Sequence, residues 1–201
     1  MIKFNKSSVF LPLTVAVFAG FVLCAPQFLL YSSSYEKADS IILLVGPDFN
    51  ARKKEANKLI DEGMADYLIV PAHNKTYKII NNRIIQEISS TLATNTTGKK
   101  DVEAPAFYYE DTHLEIIEAQ KIMTNYKSKS AIFISSPYHM RRIKFITSNV
   151  FDTKKSSFYF VPTRYEKAST IFWEISLADW KKILMEYVKM LWFFLYSNWK
   201  K

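Results

Sequence analysis
Apolar and polar positions along the chain alternate between two rhythms. Ala38 to Gly46 is a continuous apolar run that closes on a glycine, which suits a strand buried on both faces. From Asn50 to Glu62 the spacing turns helical, with Ala56, Leu59, Ile60 and Gly63 on one face and Arg52, Lys53 and Glu55 toward the other. Asp66 to Pro71 repeats the strand pattern, so these residues read as β-α-β, a parallel pair with a right-handed crossover. Between Ala72 and Ala104 the pattern blurs. Tyr77 to Ile88 has some helical spacing, whereas Ser89 to Lys100, rich in Thr, Asn and Lys, reads as an exposed loop. Regularity then returns. A short strand is expected at Ala106–Tyr109, followed by a helix opening at Glu110-Asp111-Thr112 and carrying Ile116, Ala119, Met123 and Tyr126 at helical intervals. Next come a strand over Ser130–Ser135, a helix from Pro137 to about Ser148 and an aromatic strand over Phe158–Pro162. The last segment, Ser176 to Trp199, lines up Leu177, Ile183, Leu184, Tyr187, Val188, Leu191 and Leu195, with Trp180 and Trp192, on one stripe, which is expected to close one face of the sheet. The order predicts an α/β, Rossmann-like three-layer sandwich with a mainly parallel sheet.

Ahead of this domain the pattern is different. No charge occurs from Ser7 to Tyr35, and Val9 to Leu30 is nearly all apolar, about the length that crosses ~30 Å of hydrocarbon as a helix. A transmembrane anchor is expected. A cleaved signal is the rival reading, but Pro26 sits beside the small residues around Cys24, and bulky Leu23 before Cys24 does not suit a lipoprotein signal. Lys3 and Lys6 precede the span and Glu36, Lys37 and Asp39 follow it, so the positive-inside rule puts the N-terminus in the cytoplasm and the domain outside. The chain divides into a short basic N-terminus (1–7), the anchor (8–31), a Ser-rich linker (32–38) and the α/β domain (39–201).

Charge narrows the partners. The 201 residues hold 27 basic and 19 acidic groups, a net +8. Beyond Lys3 and Lys6 the balance is 25 minus 19, or +6, and it is spread out. No dense basic stripe with interleaved aromatics appears, which argues against nucleic acid. Anionic lipid or a phosphorylated ligand fits the excess better. Cys24, the only cysteine, lies in the apolar N-terminal run, so neither a disulfide nor a cysteine-based metal site is expected. The domain contains only Gly46, Gly63 and Gly98, too few for a Gly-rich phosphate loop, and His73 and His113 lack ligand spacing. No metal and no cofactor is expected.

Candidate chemistry gathers at turns from strand to helix, the edge where such sheets bind ligands. Gly46-Pro47-Asp48 with Arg52 forms one turn and Glu110 to Glu115 the second. The third is Ser135 to Arg142, where Ser136 is placed to cap a helix begun by Pro137, with His139, Arg141 and Arg142 in its first two turns. Together they offer carboxylates, a histidine and arginines, a set suited to holding a phosphate or carboxylate and moving one proton. Each has a plainer reading. Asp48 forms turns, Arg52 and Arg142 suit a solvated surface, and Thr112 with Glu115 has the spacing of a capping box.

These residues carry a resemblance. The Gly-ended first strand, Arg52 on the first helix, Leu68-Ile69-Val70-Pro71, Thr112 with Glu115, Tyr138-His139-Met140-Arg141-Arg142 and the late Glu186-Tyr187 to Trp192 helix are similar to the YdcF/SanA/ElyC-like family over about Asp39 to Tyr196. The resemblance implies a Rossmann-type domain on a bacterial inner-membrane tether, tied to cell-envelope integrity and to peptidoglycan or lipid-carrier metabolism. It implies a site including Arg52, Thr112, Glu115, His139, Arg141 and Arg142. Two readings follow: an enzyme acting on an anionic, phosphorylated or lipid-linked envelope metabolite, with His139 and Glu115 catalytic and Asp48, Arg52, Thr112, Ser136, Arg141 and Arg142 binding the anion, or a noncatalytic ligand-binding or scaffold protein. Where many relatives carry Gly-Gly and Ser-Gly after the first two strands, this chain has Gly46-Pro47 and Pro71-Ala72, which restricts how closely a ligand can approach the backbone.

Overall fold
The computed structural model describes residues 7–89 and 109–199. Five helices and six strands follow in chain order: α1 (Ser7–Leu29), β1 (Ala38–Leu43), α2 (Phe49–Asp61), β2 (Ala65–Val70), β3 (Lys75–Ile80), β4 (Arg83–Ser89), α3 (Asp111–Asn125), β5 (Ser130–Ser135), α4 (Met140–Val150), β6 (Ser157–Pro162) and α5 (Leu177–Trp199). The strands form one sheet in the order β4-β3-β2-β1-β5-β6. Pairs β1–β2, β1–β5 and β5–β6 are parallel, and β3 and β4 extend the β2 edge antiparallel. The α/β architecture expected from the sequence is therefore present, with four of the six strands parallel.

Alternation along the strands explains the layers. Ile42 and Leu44, with Ala131 and Phe133 of β5, face a core closed by α3, α4 and α5. Ile41 and Leu43, with Ile132 and Ile134, face a second core closed by α2 through Ala56, Leu59 and Ile60. Near the amino ends of β1 and β5, Asp39 accepts the backbone amides of Lys129 (2.7 Å) and Ser130 (2.9 Å), tying the two strands together. At their carboxyl ends the Leu44 amide donates to the Ile134 carbonyl at 3.2 Å. The chain passes from β1 to β2 on one side and returns to β5 on the other, so the sheet's topological switch point lies between β1 and β5.

Three expectations change. The blurred stretch around Tyr77–Ile88 is a hairpin, not a helix. Asn81 and Asn82 both sit at positive φ, 51° and 59°, the two-residue turn that matches strand twist and that asparagine tolerates. On α2 the face is wider than its apolar residues suggest, since Arg52 and Glu55 are buried beside Ala56 and Leu59. On α5 the buried face is rotated from the one expected: Ile183 is buried as expected and Trp180 and Tyr187 pack beside it, but Glu186, Phe193 and Tyr196 are buried too, while Leu177, Leu184, Val188, Leu191, Trp192 and Leu195 are exposed. Residues 90–108 lie outside the described residues, and most of the expected loop and the strand expected at Ala106–Tyr109 fall there. Among the described residues no helix is long and apolar enough to cross a membrane.

The end of α1 is built into the domain. Ala25 and Leu29 are buried with Tyr138, Ile175 and Ile183. Tyr187 of α5 packs against Phe21 and Phe28, ring centroids 5.7 and 6.0 Å away, and donates its hydroxyl to the Ala25 carbonyl at 2.8 Å.

Phe133 is fully buried at the sheet centre, stacked on Phe160 at 5.6 Å. Phe133→Ala is expected to lower the unfolding free energy by about 3–5 kcal/mol in a urea titration. Ile85→Ala, at an exposed position on β4, is expected to change it by less than about 0.5 kcal/mol.

Candidate functional site
A cleft of about 490 Å³ opens at the switch point. Its floor is the chain leaving β1 (Leu44, Val45, Gly46, Pro47) and Ser135 at the end of β5. One wall is the first turn of α3 with Thr112 and Glu115, another is His139, Arg142 and Ile143, and Lys189 reaches in from α5.

The stretch Tyr138 to Arg142 sends successive side chains to different places. Pro137–His139 form a short 3₁₀ turn that leads into α4. Tyr138 is buried against α1 and donates its hydroxyl to the Ser169 carbonyl at 2.7 Å. His139 lines the cleft, and Met140 enters the core. Arg141 points away from the cleft to the end of α1, where Nε donates to the Phe28 carbonyl at 2.8 Å and the guanidinium lies 4.7 and 4.8 Å from the Phe28 and Tyr31 ring centroids. It satisfies a C-terminal carbonyl of that helix and stacks as a cation on its aromatics.

Arg142 is almost wholly buried and is held by carboxylates on two elements. Its Nε donates to Glu186 Oε2 at 2.7 Å and Nη2 to Glu186 Oε1 at 3.1 Å. Its Nη1 pairs with Glu110, the residue before α3, and donates to Thr112 Oγ1 at 2.8 Å. The expected capping box is therefore not formed. Glu110 takes the N-cap position, Thr112 serves Arg142, and Glu115 turns into the cleft.

His139 Nδ1 lies 2.7 Å from Glu186 Oε1 and 3.0 Å from Arg142 Nη2. Burial alone would raise Glu186, but the His139 hydrogen bond and the Arg142 charge hold it at about 2. An ionised carboxylate only accepts, so we assign the Nδ1 proton to the His139–Glu186 bond. That fixes the tautomer in which Nε2, on the other side of the imidazole, carries the lone pair.

Arg52 is the second buried guanidinium, and its partners are neutral. Nη1 donates to the Leu44 and Val45 carbonyls at 3.0 and 2.8 Å, and Nε and Nη2 donate to Ser136 Oγ at 3.2 and 2.9 Å. Ser136 thus holds Arg52 and makes no side-chain cap bond. Gly46 is required here. A Cβ on it would lie 2.5 and 2.6 Å from the two terminal nitrogens of Arg52. Burial lowers the Arg52 pKa, opposed by the charges of Glu166, Glu115 and Asp48. Burial likewise raises Glu115 to about 7, against the pull of Arg52 and of a hydrogen bond to the Val45 backbone.

Of the residues proposed from the sequence, Arg52, Thr112, Glu115, His139 and Arg142 line one cleft. Ser136 lies behind it on Arg52. Asp48 sits at the start of α2, half exposed and 3.9 Å from Lys182, outside the lining, as is Arg141. Glu110 belonged to the second candidate turn but was given no role, and Glu186 and Lys189 were not anticipated as site residues. The signal for Glu186 was present: a lone acid in the middle of an otherwise apolar helix is rarely left without a partner. Among the described residues no group of His, Cys, Asp and Glu is arranged to hold a metal ion. Comparison with family models, curated proteins and solved structures finds no match.

Glu186→Gln weakens the Arg142 network, whereas Arg142→Met strands two buried carboxylates. We expect a loss of about 3–5 kcal/mol for the first and a larger loss for the second, read as a urea midpoint that falls further for Arg142→Met. The two shifted carboxyls also give opposite pH dependences. Glu115 binds its proton more tightly folded than unfolded, so its contribution declines as pH rises from 4.5 to about 7. Glu186 contributes above 4.5 and loses that contribution as pH falls toward 2. Glu115→Gln is expected to flatten the decline in stability between pH 4.5 and 7, an effect of up to about 3 kcal/mol.

Proposed function
We propose that the protein is a membrane-tethered cell-envelope protein of the YdcF/SanA/ElyC-like kind, an enzyme whose cleft takes an anionic, phosphorylated or lipid-linked metabolite. The observation that carries this reading is the pairing, on one cleft, of a carboxyl held near neutral pKa with an imidazole oriented by a buried carboxylate. Glu115 gives up its proton only at about 7, and the oriented imidazole presents an Nε2 lone pair, which suits a general acid and a general base. In a phosphoester hydrolysis, His139 Nε2 takes a proton from an attacking water as its oxygen bonds to phosphorus. The bond from phosphorus to the leaving oxygen breaks, and Glu115 gives that oxygen its proton. Among the described residues Lys189 and Arg52 are the lining cations without an ion pair, and since the N–H groups of Arg52 are engaged by Ser136 and by carbonyls, Lys189 is assigned to the anion with Arg52 as positive background.

The tether rests on the uncharged residues from Ser7 to Tyr35, and the basic Lys3 and Lys6 ahead of them support an inner-membrane protein with an extracytoplasmic domain. A binding or scaffold role is the second reading. It is favoured by Arg142, which is buried and donates to Glu186 through Nε and Nη2 and to Glu110 and Thr112 through Nη1, so that this arginine is not available as a clamp.

The test is phosphate release from a polyprenyl diphosphate in detergent micelles, with binding of the same compound followed by calorimetry. His139→Ala is expected to lower turnover by about 10²–10⁴-fold. Wild-type turnover is expected to fall as pH rises through about 7, where Glu115 loses its proton, and that limb is expected to vanish in Glu115→Gln. Binding without turnover in the wild type would favour the scaffold reading, and neither binding nor turnover would remove both.

A further inference from the structure
Glu186, Lys189, Phe193 and Tyr196 mark one side of α5, where they enter the cleft or the core. At spacings of four, three and four residues, Leu184, Val188, Leu191 and Leu195 mark the opposite side. These four are between 50% and 63% exposed, and Trp192 at the flank is 47% exposed. A long helix that shows water a stripe of leucines is costly, since each exposed side chain forgoes burial. The face is not a by-product of a weak sequence pattern, because it is the better apolar stripe of the two. It faces outward because the opposite side supplies Glu186 to Arg142.

We infer that the outward face of α5 lies in the surface of a lipid bilayer, beside the point where α1 enters it. The occupant follows from what adjoins the stripe. Tyr187, one position from Val188, packs on Phe21 and Phe28 of α1, so the exposed apolar surface of α5 continues into that of α1 at Val17 and Phe21. Lys181 is exposed on α5 at the margin of the stripe, whereas Lys182 turns away from it and pairs with Asp179, Glu166 and Asp48; the one acid of α5 outside the site and the core, Asp179, is thus met by Lys182 and by the Ser176 hydroxyl. Leucine and tryptophan on one side with lysine at the margin is the composition of a helix lying at a lipid interface, where anionic headgroups meet the basic groups. A helix is about 10 Å thick, so a cleft on the inner side of α5 stands one helix diameter from the headgroups. A lipid-linked anion could thus enter the cleft with its chain still in the membrane. The inference deepens the membrane-tethered reading and rests on it.

The experiment uses the full chain with Cys24→Ser, single cysteines carrying an environment-sensitive nitrobenzoxadiazole label, and vesicles of phosphatidylcholine and phosphatidylglycerol containing brominated acyl chains. Labels go at Val188→Cys and Leu191→Cys on α5, at Val17→Cys on α1, and at Lys58→Cys on α2 as the aqueous control. The expected result is blue-shifted, bromine-quenched emission at 188, 191 and 17, with unquenched emission at 58. Quenching at 17 alone would overturn the α5 inference and leave the anchor standing. Quenching at none of the three would overturn both. Spin labels at 188 that couple to one another between chains, with no lipid quenching, would show the face to be covered by a second copy and would overturn the inference as well.

Discussion
The structure depends on keeping the Arg142 charge paired away from water. A guanidinium cannot neutralise itself by losing its proton, and this buried one is met by two carboxylates within hydrogen-bond reach. Glu110 comes from the chain entering α3 and Glu186 from the middle of α5. That requirement sets where α3 begins and which side of α5 turns inward. It also sets the imidazole of His139, because the carboxylate that receives Arg142 accepts the Nδ1 proton. The orientation of His139 and the helix packing are thus one arrangement here. A change that loosens α5 moves His139, and a change at His139 leaves part of Glu186 unpaired.

Much of the sheet was legible because strands buried on both faces are read from composition alone: Ser130–Ser135 was predicted to the residue, and β1, β2 and β6 to within a few. The hairpin of β3 and β4 was missed because its half-exposed strands mix polar and apolar residues, and the informative signal was Asn81-Asn82, which fixes the turn. Charged residues were the harder problem. Hydrophobic periodicity sorts a charge to the wet side, and that rule placed Arg52 and Glu55 outward and made the leucine stripe of α5 the core face. Buried ion pairs invert it, since one carboxylate needed inside can outweigh several leucines that lipid or a partner can cover. The residues of the cleft were legible in part because turns after parallel strands are where such folds bind ligands. Which arginine faced the cleft was not, because Arg141 and Arg142 differ by 100° on a helix whose rotation only the tertiary contacts decide.

The two buried arginines also explain why Glu115 keeps a proton that Glu186 gives up. Both carboxyls are largely buried, and burial raises both. Glu186 receives two N–H groups of Arg142 and one of His139, so its ionised form is solvated by protein. Glu115 receives a backbone hydrogen bond at Val45 and only the distant charge of Arg52. Arg52 could in principle serve it better, but its N–H groups are spent on the Leu44 and Val45 carbonyls and on Ser136. Those bonds are possible because Gly46 leaves room for the guanidinium against the backbone. A single missing Cβ after β1 therefore holds Arg52 to the chain, denies Glu115 a direct ion pair, and leaves a carboxyl in the cleft that is poised near neutral pH. The loop after β1 seats the Arg52 guanidinium against the backbone, and Lys189 reaches the same cleft from α5.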